Sequence, residues 1–263
     1  MDEGKRYIRR LYDSVIHDYS GSFSTKAGGY YIRKKMEVFL ESFPDRKPSQ
    51  LRLLEVGSAD GVFTEQLARL GVEIYSVDIS LPQLRKAKDR VPMIAGFVNA
   101  DGEALPFKPE SFDIIVSMCT VRYFTHPNQA LRDWYVLLKP GGVLVVDVPN
   151  KYCPFFLGLN QLMNMLLRVP NPQRTAKYSV HSIRRVFTDG GFQEIKTTPI
   201  LLVYRYFSDP LFYVAWTLEQ MITRIPGMRH LLALIVCAGT RPNDRRAALH
   251  AQQEPRKAVE MKA

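Results

Sequence analysis

Residues 51–61, LRLLEVGSADG, constrain the fold more than any other stretch. Leu51, Leu53, Leu54 and Val56 make the short continuous apolar run expected of a strand buried on both faces, and Gly57 lets the backbone turn at its end. From Gly61 the period changes. Val62, Phe63, Leu67 and Leu70 recur at helical spacing through VFTEQLARLG, with Gly71 as the stop. A strand, tight turn and helix in this order deliver the C-terminal end of a parallel strand to a nucleotide in a doubly wound α/β sheet. A pyrophosphate loop would read G-x-G-x-x-G, whereas Gly57-Ser58-Ala59-Asp60-Gly61 lacks that register and carries an aspartate that would repel phosphate.

The next strand, over 72–77, ends in Asp78, 21 residues after Gly57, where a carboxylate suits paired hydrogen bonds to ribose hydroxyls. The competing role for Asp78, capping the helix SLPQLRKAKDR, falls to Ser80 with Pro82 beside it. A third strand over about 94–98 leads into Asn99-Ala100-Asp101-Gly102-Glu103 and then Leu105-Pro106-Phe107. FDIIVS, 112–117, is the fourth strand, and Leu137-Leu138-Lys139-Pro140-Gly141-Gly142 turns into a fifth, VLVVDVPN.

Taken in order over about residues 51–150, these motifs resemble those of class I S-adenosylmethionine-dependent methyltransferases of the small-molecule, UbiE-like type. Glu55, Gly57 and Gly61 fit the E/D-x-G-x-G-x-G loop, with Ala59 in place of the middle glycine. The resemblance implies S-adenosyl-L-methionine as cofactor, cradled by Glu55, Gly57, Ser58, Ala59 and Gly61. It also implies Asp78 on the ribose, Ile79 on the adenine, Asp101 with Gly102 and Glu103 at the adenine amino group, and Met118 beyond the fourth strand. The fold it implies is a seven-stranded doubly wound, mostly parallel sheet with an antiparallel last strand and helical caps.

Composition bounds the partners. With 263 residues, 46% of them apolar, the chain can bury a full α/β core. Cys119, Cys153 and Cys237 show neither C-x-x-C nor Cys/His ligand spacing, so no disulfide framework or metal site is expected, and the expected compartment is the cytoplasm. The N-terminus is charged throughout and does not read as a signal peptide, and no 18-residue apolar run offers a membrane span. Of the net charge of +10, residues 241–263 supply +3 in a tail expected to be disordered, and the rest is spread along the chain. No nucleic-acid reading module accompanies it, so nucleic acid is not expected as a partner, while an anionic substrate or weak attraction to a membrane surface stays open.

Beyond the fifth strand, residues 154–169 place Phe155, Leu159, Leu162, Met163 and Leu166 on one helical stripe, where the resemblance implies an acceptor cap over about 151–180. Residues 1–43 read as an N-terminal helical cap, and Ser182 as N-cap of the helix IRRVFTDGGF, ended by Gly190-Gly191. Strands are expected over 195–204 and 231–238, with an added helix over about 209–226 between them. Methyl transfer from a sulfonium is an in-line displacement that needs alignment and water exclusion, and a base only where the acceptor loses a proton. His181, His17 and Tyr19 are the candidates for that base or for orienting the acceptor. His126 reads as a structural residue before Pro127. Met118-Cys119-Thr120-Val121 resembles neither the [DN]-P-P-[YF] of amino methyltransferases nor the Pro-Cys of cytosine C5 enzymes. The expected function is methylation at oxygen or nitrogen of a small, partly apolar metabolite. The alternatives are a membrane-surface enzyme acting on a lipid or prenylated quinone, and a non-catalytic cofactor-binding regulator of a partner.

Overall fold

The computed structural model describes residues 3–14, 21–153, 176–225 and 227–243. Its elements are α1 (Glu3–Ser14), α2 (Lys26–Leu40), β1 (Arg52–Val56), α3 (Val62–Ala68), β2 (Glu73–Asp78), α4 (Leu81–Arg90), β3 (Gly96–Asn99), β4 (Phe112–Ser117), α5 (Pro127–Leu137), β5 (Leu138–Pro149), α6 (Val180–Asp189), β6 (Gln193–Ile200), α7 (Asp209–Arg224) and β7 (Leu234–Thr240). The strands form one seven-stranded sheet in the order β3-β2-β1-β4-β5-β7-β6. Pairing is parallel from β3 through β5, and β7 runs antiparallel between β5 and β6. Strand order reverses between β1 and β4, which opens a crevice at the carboxyl ends of β1, β2 and β4.

The two sheet faces each carry a core. Leu53, Ile74, Ile114 and Val145 pack beneath α2 and α3 with Phe39, Phe63 and Leu67, and α7 adds Phe212 and Ala215 to this side. Leu54, Ile115, Leu144 and Val146 on the other face meet Leu131 and Trp134 of α5 and Ile183 and Phe187 of α6. The central strands are therefore buried on both sides, as their unbroken apolar runs require.

Five boundaries differ from the expectation. The cap of α6 is Ser179, which accepts from the Ser182 backbone N–H, while the Ser182 hydroxyl accepts from the Ser179 backbone N–H; Ser182 closes a capping box at the third helical position. α3 stops at Ala68, and Gly71, at φ +72°, turns the chain two residues past the cap Arg69. β6 covers Gln193–Ile200 because Leu201 adopts φ +63°, which leads the chain off the sheet and sends Leu201 and Val203 into the α7 core. β7 begins at Leu234 because Met228–Leu231 forms a 3-10 turn first, and β3 is the short edge strand Gly96–Asn99. The expected cap stripe over 154–169 and the tail beyond 243 lie outside the described residues.

Candidate functional site

A cleft of about 700 Å³ opens at the carboxyl ends of β1, β2 and β4. Its floor is the turn after β1. Gly57 and Gly61 have φ of +84° and +83°, and Ala59 is left-handed at φ +46°, so alanine adopts the conformation that the expected middle glycine would take freely. A Cβ on Gly57 would fall 1.9 Å from Thr120 Oγ1. Gly61 serves packing instead: a Cβ there would meet the Ala87 Cα of α4 at 2.9 Å, and Gly61 does not line the cleft.

Asp78 stands at the end of β2, 8% exposed. Its Oδ2 accepts the Ala59 N–H and its Oδ1 the Ser80 N–H, both at 2.8 Å, which fixes the carboxylate while leaving lone pairs toward the cleft. Burial raises its pKa to about 6 against these hydrogen bonds. Ile79, Asp101, Gly102, Glu103 and Met118 line the same cleft. α1 roofs it with Lys5, Ile8 and Tyr12, and Lys5 Nζ binds Asp101 at 2.7 Å and Glu103 at 2.8 Å. Glu103 also accepts the Thr125 and His126 backbone N–H groups, which ties the chain entering α5 to the cleft wall, while the His126 side chain is exposed. Trp134 of α5 donates to the Gly102 carbonyl at 2.8 Å and so ties the core to the cleft wall.

Glu55 and Ser58 lie in a smaller adjoining cavity of about 410 Å³ rather than in the main cleft. The Glu55 carboxylate accepts from Thr64 Oγ1 at 2.6 Å and Ser76 Oγ at 2.9 Å, a brace between β1, α3 and β2. Burial raises its pKa to about 7. Ser58 Oγ is buried without a hydrogen-bond partner.

Sequence reasoning missed the group between the two cavities. Lys35 of α2, 2% exposed, reaches Asp147 Oδ2 of β5 at 2.5 Å and Cys119 Sγ at 2.9 Å. The Tyr31 hydroxyl lies 2.9 Å from the same sulfur, and Asp147 accepts the Cys119 backbone N–H. Cys119 is left-handed at φ +62°, and this buried carboxylate holds that turn after β4. Burial lowers the Lys35 pKa, but Asp147, Cys119 and Tyr31 outweigh it and leave the ammonium well above its ordinary value. No motif announces this set; a lysine amid the apolar positions of α2 and an aspartate inside VLVVDV were the available signals.

His181 is exposed on the first turn of α6 and does not line the cleft. His17 and Tyr19 lie outside the described residues. Among the described residues no cluster of His, Cys, Asp and Glu forms a metal site.

Glu55 and Asp78 make stability pH-dependent in one direction. Their folded pKa values of about 7 and about 6 stand above the ordinary 4.5 and 3.8, so the folded state holds these protons more tightly. That contribution is full below the ordinary values and is lost as pH rises through about 6 and about 7. The ligand-free melting temperature should therefore decline across this window, and Glu55→Gln, which keeps an acceptor but cannot titrate, should flatten the decline. Thermal melts with the same slope in Glu55→Gln would remove Glu55 from the effect.

The methyltransferase domain family matches residues 54–146. The ubiquinone/menaquinone biosynthesis C-methyltransferase UbiE of Pseudomonas paraeruginosa is 31% identical over 195 residues, 67% of this chain and 74% of the relative. A ubiquinone biosynthesis O-methyltransferase of Ruegeria pomeroyi is 31% identical over 131 residues, 47% of this chain and 53% of that protein. Two further curated relatives are matched over only 20% and 40% of their length. Among solved structures, a Thermotoga maritima S-adenosylmethionine-dependent methyltransferase superposes with a TM-score of 0.64 at 19% identity, covering 88% of this chain and 99% of its own.

Proposed function

This chain belongs to the class I S-adenosylmethionine-dependent methyltransferase family, and from that premise we propose that it methylates a small, partly apolar acceptor at oxygen or nitrogen. The C-methyltransferase relative adds carbon to the acceptor atoms. The observation that carries the reading is the fixed Asp78 carboxylate facing a cleft whose floor, at Gly57, has no room for a Cβ. S-adenosylmethionine, when bound, supplies an electrophilic methyl group. In this reading Asp78 accepts the ribose hydroxyls, Ile79 packs on the adenine and Asp101 with Gly102 meets its polar edge, while Gly57, Ala59 and Met118 enclose the amino-acid end. Glu55 braces the loop from behind, Gly61 seats α3 on α4, and unpartnered Ser58 Oγ offers a polar contact from the adjoining cavity. Ile8 and Tyr12 exclude water, and Met118, Cys119, Thr120 and Tyr123 bound the acceptor side.

Calorimetry with S-adenosylhomocysteine, followed by a metabolite screen for the mass gain of one methyl, tests this function. Failure to bind the cofactor product would overturn it. Binding without turnover on any acceptor, with a copurifying enzyme, would favour a cofactor-binding regulator.

A second reading, action at a membrane surface, is favoured by α7. Phe212, Ala215 and Glu219 of this helix face the core, where Glu219 accepts from the Tyr30 hydroxyl at 2.6 Å. Leu211, Val214, Leu218 and Met221 recur along the opposite side with Tyr213 and Trp216, all at least 38% exposed. Asp209 is paired with Lys26 and Glu219 is buried, so the outer face carries no uncompensated acid, while exposed Arg33, Arg224 and Arg229 fringe it. An aliphatic and aromatic stripe with a basic rim fits an anionic bilayer surface. No helix among the described residues is long and apolar enough to cross a membrane. The full chain should cosediment with phosphatidylglycerol vesicles in a salt-sensitive manner, and Trp216→Ser with Leu218→Ser should weaken partition roughly tenfold. No binding to those vesicles at low salt would sink the membrane reading and leave the soluble one.

A further inference from the structure

The 3-10 turn Val121–Tyr123 follows directly on Thr120; Thr120 and Tyr123 line the cleft, and Arg122 stands between them just behind its wall. Arg122 in this turn is partly buried, and its Nε is out of contact with water and has no hydrogen-bond partner. Its guanidinium lies 5.2 Å from the Tyr123 ring, and no carboxylate of the described residues comes within ion-pair distance of it. The groups that act on its charge are Tyr123, Cys119, Tyr12 and Tyr31, phenols and a thiol, with Tyr204 within electrostatic reach. The Arg122 carbonyl accepts the Ala176 N–H at 2.9 Å, so the turn is tied to the segment that leads into α6.

A cation partly withdrawn from water ordinarily brings its counter-charge with it, because desolvation without a partner is unfavourable. Lys5 and Lys35 follow that rule through Asp101, Glu103 and Asp147. Arg122 does not. Its planar fork matches a carboxylate or phosphate in two-point geometry, and three of the groups that act on its charge, Tyr12, Cys119 and Tyr123, line the cleft.

We propose that Arg122 binds an anionic group, a carboxylate or phosphate, on the methyl acceptor, which makes the acceptor an amphiphilic anion with its charged end beside Tyr123. This rests on the methyltransferase reading and narrows its substrate class. The full chain saturated with S-adenosylhomocysteine is titrated in a calorimeter with phenyl phosphate, benzoate and neutral benzyl alcohol. An anion should bind at least tenfold more tightly than the alcohol. Arg122→Gln should lose roughly 10- to 100-fold of that affinity, and Arg122→Lys should keep part of it. The ligand-free Arg122→Gln protein should melt no lower than wild type, since it loses an unpaired cation. Equal binding of anion and alcohol, an undiminished anion affinity in Arg122→Gln, or a lower melting temperature would overturn the proposal. So would a loss of S-adenosylhomocysteine affinity in Arg122→Gln with 5′-methylthioadenosine, which lacks the carboxylate, unaffected, since that assigns Arg122 to the cofactor. Wild-type protein that fails to bind S-adenosylhomocysteine overturns the methyltransferase function itself, which separates the two failures.

Discussion

Asp147→Ala is expected to cost about 3–5 kcal/mol of folding stability, the range for removing one partner of a buried ion pair. Lys35 is 2% exposed, so the substitution strands an ammonium among Tyr31, Cys119 and the core. The Cys119 backbone N–H loses its acceptor at the same time, and with it the constraint that holds φ at +62°. Lys35→Met combined with Asp147→Leu should recover most of the loss, because an apolar pair of similar volume is often as stable as a buried ion pair. The recovery should be incomplete by roughly 1–3 kcal/mol for the orphaned N–H. Urea unfolding of the single and double variants reads both quantities. A loss below about 1 kcal/mol in Asp147→Ala would mean that Lys35 finds solvent and the pair holds little.

The contrast between this pair and the cleft shows where the sequence was legible. The loop 57–61, Asp78 and the segment 99–103 sit at consecutive strand ends, and a local pattern of apolar run, glycine and acid encodes each, so chain order alone brings them together. Lys35 and Asp147 meet only because α2 crosses the face of β5, which no local period reveals. The isolation of Arg122 is likewise a property of what does not surround it. His181 was drawn toward the acceptor by taking Ser182 as the cap. With Ser179 as cap the helix begins at Val180, and residue 181 lies about 200° around the axis from Ile183, which is buried against the sheet. The strand expected over 195–204 ran too long for a similar reason: ILLVY, residues 200–204, is apolar throughout, but Leu201 and Val203 are buried with α7 rather than by sheet neighbours. Burial without periodicity does not distinguish these.

Gly57→Ala should reduce affinity for S-adenosylhomocysteine at least tenfold and destabilise the protein by roughly 1–3 kcal/mol, from two separable causes. The first is local: at φ +84° an L residue is strained wherever its side chain points. The second is the neighbour, because the new Cβ would lie 1.9 Å from Thr120 Oγ1, 2.5 Å from its Cγ2 and 2.6 Å from its Cβ. Either the turn or the strip from Met118 to Thr120 must shift, and both line the cleft. Thr120→Gly in the Gly57→Ala background removes all three contacts and leaves the backbone strain, so it should restore part of the stability and part of the affinity. Calorimetry and thermal melts on the single and double variants separate the two causes. A folded Gly57→Ala protein that binds S-adenosylhomocysteine like wild type would show that the turn does not meet the ligand. A double variant no better than the single one would assign the whole effect to φ.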